Sequence, residues 1–263
     1  MCWLAPWGVT SQDFMLVCNM SELSSIPALA TAIFLGGVVS GFSGFAFSAV
    51  AGVILLHLFE PLLAIPLMMC CSIASQISSL AAIRQHIQWR GSVPLLIGGA
   101  GGIPIALYLL TLVDAHVFRI AIGIFLACYA VYMLIKPACG IVRQAASPVV
   151  HSMVGFAGAL VGGLTAMPGT LPIIWCDLRG VSKEHQRGEV QPFILTMQAF
   201  AVILLICKPG TLPRDLLPVL SLAIPAVVAG TLVGILLWGK IDDVKFRYSV
   251  LSLLLISGLV LIH

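Results

Sequence analysis

The chain predicts an all-α integral membrane protein made of two inverted repeats, each a broken or re-entrant helical hairpin followed by three transmembrane helices. Three observations lead there. Only 9% of the 263 residues are charged while 60% are hydrophobic, too few charges to cover a soluble domain. The segment GGVVSGFSGF from Gly36 returns as GALVGGLTAM from Gly158, each within a long apolar run. Glycine-interrupted apolar segments at matching places in two halves mark the binding region of a secondary transporter.

The first 26 residues lack Lys and Arg, so no basic signal-peptide start is present; Trp3, Trp7 and DFMLVCNM suggest an interfacial arm (1–26). Repeat 1 (27–144) opens with a hairpin at 27–57 and continues with helices at 66–83, 93–112 and 117–135. Repeat 2 (145–263) has a hairpin at 148–177 and helices at 192–207, 216–238 and 246–262. Six of these segments suit a single crossing. As unbroken helices, Pro27 to Leu56 and Pro148 to Cys176 would each be about 45 Å long, against a hydrocarbon core of about 30 Å.

Charge separates a full crossing from a re-entrant turn. With two full crossings, one side carries Arg84, Arg90, Lys136, Arg143, Lys208 and Arg214, six, and the other seven. With two re-entrant hairpins, one side collects Arg84, Arg90, Lys136, Arg143, Arg179, Lys183, Arg187, Lys240, Lys245 and Arg247, ten, and the other keeps Arg119, Lys208 and Arg214, three. That is an ordinary positive-inside bias. It places both termini in the periplasm and the loops around Arg84, Lys136, Lys183 and Lys240 in the cytoplasm. One hairpin plus three spans is an odd number of crossings, which inverts the second half. Pro66 pairs with Pro192, and Asp114 to Arg119 pairs with Asp242 to Arg247, so the register drifts from 122 to 126 to 128 residues.

The breaks supply the expected solute site: Ser40, Gly41, Phe42, Ser43, Gly44 and Phe45 in the first, and Thr165, Ala166, Met167, Pro168 and Gly169 in the second, with Gln76 and Gln198 as amide neighbours. A helix restarting after a break offers unpaired N–H groups and its positive dipole end to an anion. Gly37-x-x-x-Gly41 also suits close helix packing. Ser72, Ser75 and Thr196 are further polar neighbours, while Arg187 and Gln191 stand where they would draw an anion to the cytoplasmic mouth. The acidic residues, Glu189 among them, fall at segment ends, in loops or in the arm, leaving no carboxylate in the apolar centre; an anionic or neutral solute follows. His57, His86, His151 and His185 read as interfacial anchors. The eight cysteines lack metal or redox spacing, and those in apolar runs behave as small hydrophobes. No metal or other cofactor is expected. The partners are a small anion and the bilayer, with no nucleic acid and a homodimer permitted by Gly98-Gly99 and Gly101-Gly102.

From Leu35 to Leu261 the breaks and segment order resemble the TauE/SafE permeases, whose members typically read S-G-x-x-G-x-G-G-G, then T-G-x-x-G-P-P, then G-x-x-K-x-x-x-R. Ser40, Gly41 and Gly44 fit the first motif, and Gly180, Lys183 and Arg187 the third. Phe45, Ala46, Phe47 and Ser48 replace most of the glycines, and Ala166, Gly169 and Thr170 alter the second motif. The resemblance implies a bacterial inner-membrane exporter of sulfite, or of an organosulfonate such as sulfoacetate, and no enzyme. An anion channel shares every binding feature. Gly41-Phe42-Ser43-Gly44 also matches the G-x-S-G around a rhomboid-type serine nucleophile, but no histidine lies between His185 and His263 to serve as its base.

Overall fold

A computed structural model describes residues 25–110, 112, 115–135, 147–207 and 216–238, together with Tyr248, Ser252, Leu255 and Leu259. The N-terminal arm through residue 24, Lys136, Arg143, Lys208, Arg214 and the Asp242–Arg247 half of the third repeat match lie outside the described residues, as does most of the span expected at 246–262.

Every described element is helical: α1 Ser25–Ser43, α2 Phe47–Leu58, α3 Pro61–Ile83, a 3₁₀ turn Arg84–His86, α4 Trp89–Leu110, α5 Ala115–Ile135, α6 Pro148–Thr165, α7 Thr170–Arg179, α8 Lys183–Cys207 and α9 Leu216–Trp238. Five helices among the described residues, α3, α4, α6, α8 and α9, are long and apolar enough to cross a membrane. Their outward surface suits hydrocarbon: Ile97, Leu217 and Leu236 are 68%, 76% and 73% exposed.

Local sequence explains the boundaries. Pro148 occupies the first turn of α6, where its missing N–H costs nothing, and Ser147 caps the helix by accepting from Val149 N at 3.3 Å. Gly180 turns left-handed after α7, and Val181 N–H donates to Cys176 O at 3.4 Å, closing that end. The largest departure is α8, expected from Pro192 and observed from Lys183. Ser182 receives the His185 N–H on its side chain and the Gln186 N–H on its carbonyl. Lys, Glu, Gln and Arg are good helix formers, so the charged run KEHQR belongs to the helix.

Both long runs fold back on themselves. A Cβ on Gly36 of α1 would lie 2.9 Å from Ala51 Cβ of α2, and one on Gly158 of α6 would lie 2.8 Å from Pro172 Cδ of α7. A straight helix would hold residues 36 and 51 about 22 Å apart. At the bends Gly44 has φ +87° and Ala166 φ +56°, the one non-glycine with positive φ among the described residues.

The first helix of each half packs on the third long helix of the other half: α1 on α9, and α6 on α4. Glycines allow the approach. Cβ atoms on Gly230 and Gly234 would fall on the Phe34 and Val38 carbonyls of α1, and on Gly98 and Gly102 upon the Ser152 and Phe156 carbonyls of α6. Gly102 and Gly230 thus meet equivalent carbonyls, at the same 128-residue offset as Asp114 and Asp242. Gly101, by contrast, would place a Cβ 3.6 Å from Phe156, an ordinary contact. Gly98→Ala is therefore expected to lower the melting temperature of the detergent-purified protein by several degrees, and Gly101→Ala to leave it unchanged; fluorescence-detected size exclusion after heating reads both.

Candidate functional site

At the first break, α1 ends in Ser43, whose hydroxyl donates to Val39 O at 2.7 Å and accepts from Phe45 N and Ala46 N at 3.4 and 3.3 Å. Gly44 N–H donates to Ser40 O at 2.7 Å. α2 then begins behind Ala46, which provides no side-chain cap. The second break repeats the device. Thr165 donates to Val161 O at 2.8 Å, and Thr170 donates through its hydroxyl to Met167 O at 3.0 Å. Both expected hydroxyls, Ser43 and Thr165, thus bond their own helix four residues back. Among the described residues the hydrogen-bond partners of the Ser43 hydroxyl are backbone groups of its own turn.

The carbonyls at the two left-handed residues are each held from both halves of the chain. Gly44 O accepts from Gln76 Nε2 at 2.8 Å and from Gln191 Nε2 at 3.3 Å. Ala166 O accepts from Gln198 Nε2 at 3.1 Å and from Ser48 Oγ at 2.8 Å. Gln76 and Gln198 stand the same 32 residues beyond their carbonyls. The 122-residue register of the breaks therefore persists in α3 and α8, and Pro192 lies one helical turn from the position equivalent to Pro66. Ser48, in the first turn of α2, bonds the opposite break directly, so the two bends meet.

The breaks differ in what crosses them. Arg187 Nη2 donates to Gly41 O at 3.2 Å, and a Cβ on Gly44 would fall against Gln191 Nε2 and lie 3.0 Å from Arg187 Nε. Arg187 is 8% exposed; it sits inside against the first bend, not at an open mouth as expected. At the 122-residue offset of the two breaks, Arg187 and Gln191 correspond to Ile65 and Met69, both buried and apolar. Beside Arg187, Thr231 of α9 donates to Ser75 Oγ at 2.9 Å, and Ser75 donates to Ser40 Oγ at 2.7 Å. The carboxamide oxygens of Gln76, Gln191 and Gln198 are buried without a hydrogen-bond partner among the described residues.

Gly41 lies against the Thr231 backbone, Pro168 against Gly162, and Gly169 against Ile194. Phe42 and Met167 are buried at 6% and 4%, and Phe45 is half-buried. Ser72 is buried, while Thr196 bonds Pro192 O at 2.8 Å along its own helix. Of the cysteines, Cys71 and Cys176 are buried. No cluster of metal ligands occurs among the described residues.

One expectation is overturned. Glu189, placed by the sequence in a connecting segment, lies inside α8 with 0% exposure. Its carboxylate meets Arg179 at 3.2 Å, His151 at 3.0 Å and His185 at 3.4 Å. His151 is likewise buried, not an interfacial anchor. The acidic residues are therefore not all confined to loops and exposed segment ends. Ser48, Thr231, Arg179, His151 and Glu189 were not identified as polar members of the interior, because their partners lie on other segments and are brought to them only by the fold.

Apolar helices, two bends that meet, and polar side chains gathered around them define a multi-pass membrane protein of the transporter class. The chain belongs to the TauE/SafE family: the family model described as Sulfite exporter TauE/SafE matches residues 29–261. Neither the curated proteins nor the solved structures provide a match.

Proposed function

We propose that this protein is a secondary transporter of the bacterial inner membrane that exports a small anion, sulfite or an organosulfonate such as sulfoacetate, by alternating access between the two bends. The observation that carries this reading is the crossed hold on the bends. Gln76 and Gln198 bond a carbonyl in their own half, whereas Ser48 and Gln191 bond the carbonyl of the other half. If residues 27–144 and 145–263 are inverted repeats that rock against one another, the first pair persists and the second pair is exchanged. Each exchanged bond is worth about 1 kcal/mol net, a barrier low enough for turnover. The swapped packing of α1 on α9 and α6 on α4 supports the same two-fold reading.

The anionic solute rests on the family and on two positive features side by side. Arg187 is buried at the first bend, and α2 begins there with no side-chain cap. The Arg187 guanidinium and the start of a helix both favour negative charge beside them. Each of the Gln76, Gln191 and Gln198 amide nitrogens carries two hydrogens; one meets a carbonyl at a bend, and the second suits an oxygen of a sulfite or sulfonate group.

Purified protein in sealed liposomes tests the reading, with labelled sulfite, sulfoacetate, taurine and acetate. Saturable flux of sulfite or a sulfonate, accelerated by unlabelled solute on the opposite side, is the expected result. Flux that never saturates would identify a channel, and no flux above empty liposomes for all four would overturn the assignment.

A further inference from the structure

The buried cluster around Glu189 lies apart from the bends, and the transport reading makes no use of it. His151 comes from α6 and Arg179 from the last turn of α7, the two arms of the second hairpin, while His185 and Glu189 come from α8. On α8, Glu189 lies about 160° round the helix from the Arg187 and Gln191 positions. One face therefore touches the first bend and another clasps the second hairpin. On α4 the facing groups are Gly91, whose Cβ would run into the Glu189 carboxylate, and Ser92, which donates to Glu189 O at 2.7 Å. From the 3₁₀ turn, the His86 carbonyl lies against Gly188, with the His86 side chain exposed.

The geometry at His151 sets two hydrogen-bonding demands against each other. Its Nε2 lies 3.0 Å from Glu189 Oε1 and 3.0 Å from Arg179 Nη1. With a proton on Nε2 the ring donates to the carboxylate and faces the guanidinium donor to donor. With Nε2 bare it accepts from Arg179 and faces the carboxylate acceptor to acceptor. A neutral ring can carry its one proton on Nδ1 and accept from Arg179 through Nε2, whereas a ring that has gained a second proton must donate from Nε2 to Glu189; gain or loss of that proton re-sorts the contacts that join α6, α7 and α8. The route inward is graded: the side chains of His185, Arg179, His151 and Glu189 are 40%, 17%, 8% and 1% exposed.

We propose that His151, Arg179, His185 and Glu189 form a proton-binding site, reached through His185, whose occupancy sets the clasp between the second hairpin and α8 and thereby couples the proton gradient to transport. The coupling role rests on the transporter reading; the proton site itself does not.

Trp175 reports on it without any solute. Its ring meets His151 edge-on, with centroids 6.1 Å apart and planes at 89°, and an imidazolium quenches indole emission more strongly than a neutral imidazole. The experiment uses full-length protein with Trp3, Trp7, Trp89 and Trp238 changed to Phe. Emission is expected to fall across a pH series from about 8 to about 5, as the site gains its proton. His151→Gln is expected to abolish that fall, and His57→Gln, on exposed α2 surface, to preserve it. In liposomes, His151→Gln is expected to keep downhill solute flux and lose its acceleration by an imposed pH gradient; His185→Gln, on a more exposed side chain, is expected to weaken the acceleration several-fold.

A pH-independent parent, or a His151→Gln variant quenched like its parent, overturns the proton site. Quenching lost with gradient acceleration retained overturns the coupling. If His151→Gln is not recovered folded, His185→Gln decides, since wild-type acceleration in it removes the proposed route. Absence of flux in the wild type defeats the transporter reading alone, and the fluorescence still decides the site.

Discussion

Gly44→Ala is expected to lower solute flux roughly tenfold to a hundredfold, with Ala166→Gly transporting as the wild type does. Both residues hold the left-handed turn of their break, at φ +87° and +56°. That conformation costs a residue with a side chain about 1–2 kcal/mol, a cost Ala166 already bears. Glycine at 44 answers a second demand, because its missing Cβ leaves room for Gln191 Nε2 and Arg187 Nε. A methyl group there would displace the amide that reaches Gly44 O from the other half of the chain. Strain and the lost bond together predict a fall in flux of roughly tenfold to a hundredfold. Liposome uptake measures it, and size-exclusion profiles establish that the variant remains folded. Wild-type flux in Gly44→Ala would separate the first bend from the solute pathway.

Glu189→Leu is expected to be the most destabilising single change in the interior. It removes a carboxylate with 1% side-chain exposure and leaves Arg179 and His151 facing one another without a counter-charge. Breaking a buried ion pair from one side costs about 3–5 kcal/mol, whereas replacing both partners by apolar residues is often close to neutral. The double variant Glu189→Leu with Arg179→Leu is thus expected to recover much of the loss. Thermal melts of the wild type, both single variants and the double variant form the cycle that measures it. An unaltered melting temperature in Glu189→Leu would show that the cluster contributes nothing to stability.

Much of the framework was legible because it is written in composition and period. A bilayer requires every backbone group to be satisfied within a helix, so apolar runs of about 20 residues mark the spans; Leu216–Trp238 was placed to the residue. The bends were legible because glycine and proline interrupt those runs at a repeated spacing. Gln76 and Gln198 were identified as amide neighbours because an amide in an apolar helix is costly unless it finds a partner. The start of α8 was not legible, since KEHQRGE reads as a loop by polarity and becomes helix only because Ser182 caps it and its buried residues find partners. Neither was the family's third motif legible as a site: Arg187 was assigned to an open mouth, whereas α8 carries it inward to Gly41 O.

Local chemistry along the chain thus sufficed for the class of molecule, its helical character, the two interrupted segments and the membership of the family that matches residues 29–261. Each of these depends on neighbours a few residues apart, and hydrophobicity and glycine placement encode such relations directly. The meeting of Ser48 with Ala166 and of Gln191 with Gly44, 118 and 147 residues apart, belongs to the tertiary structure alone. So does the burial of Glu189 between two helices and its own. A hydrogen bond or ion pair across such separations depends on which faces the packed helices turn to one another, and no single segment carries that information.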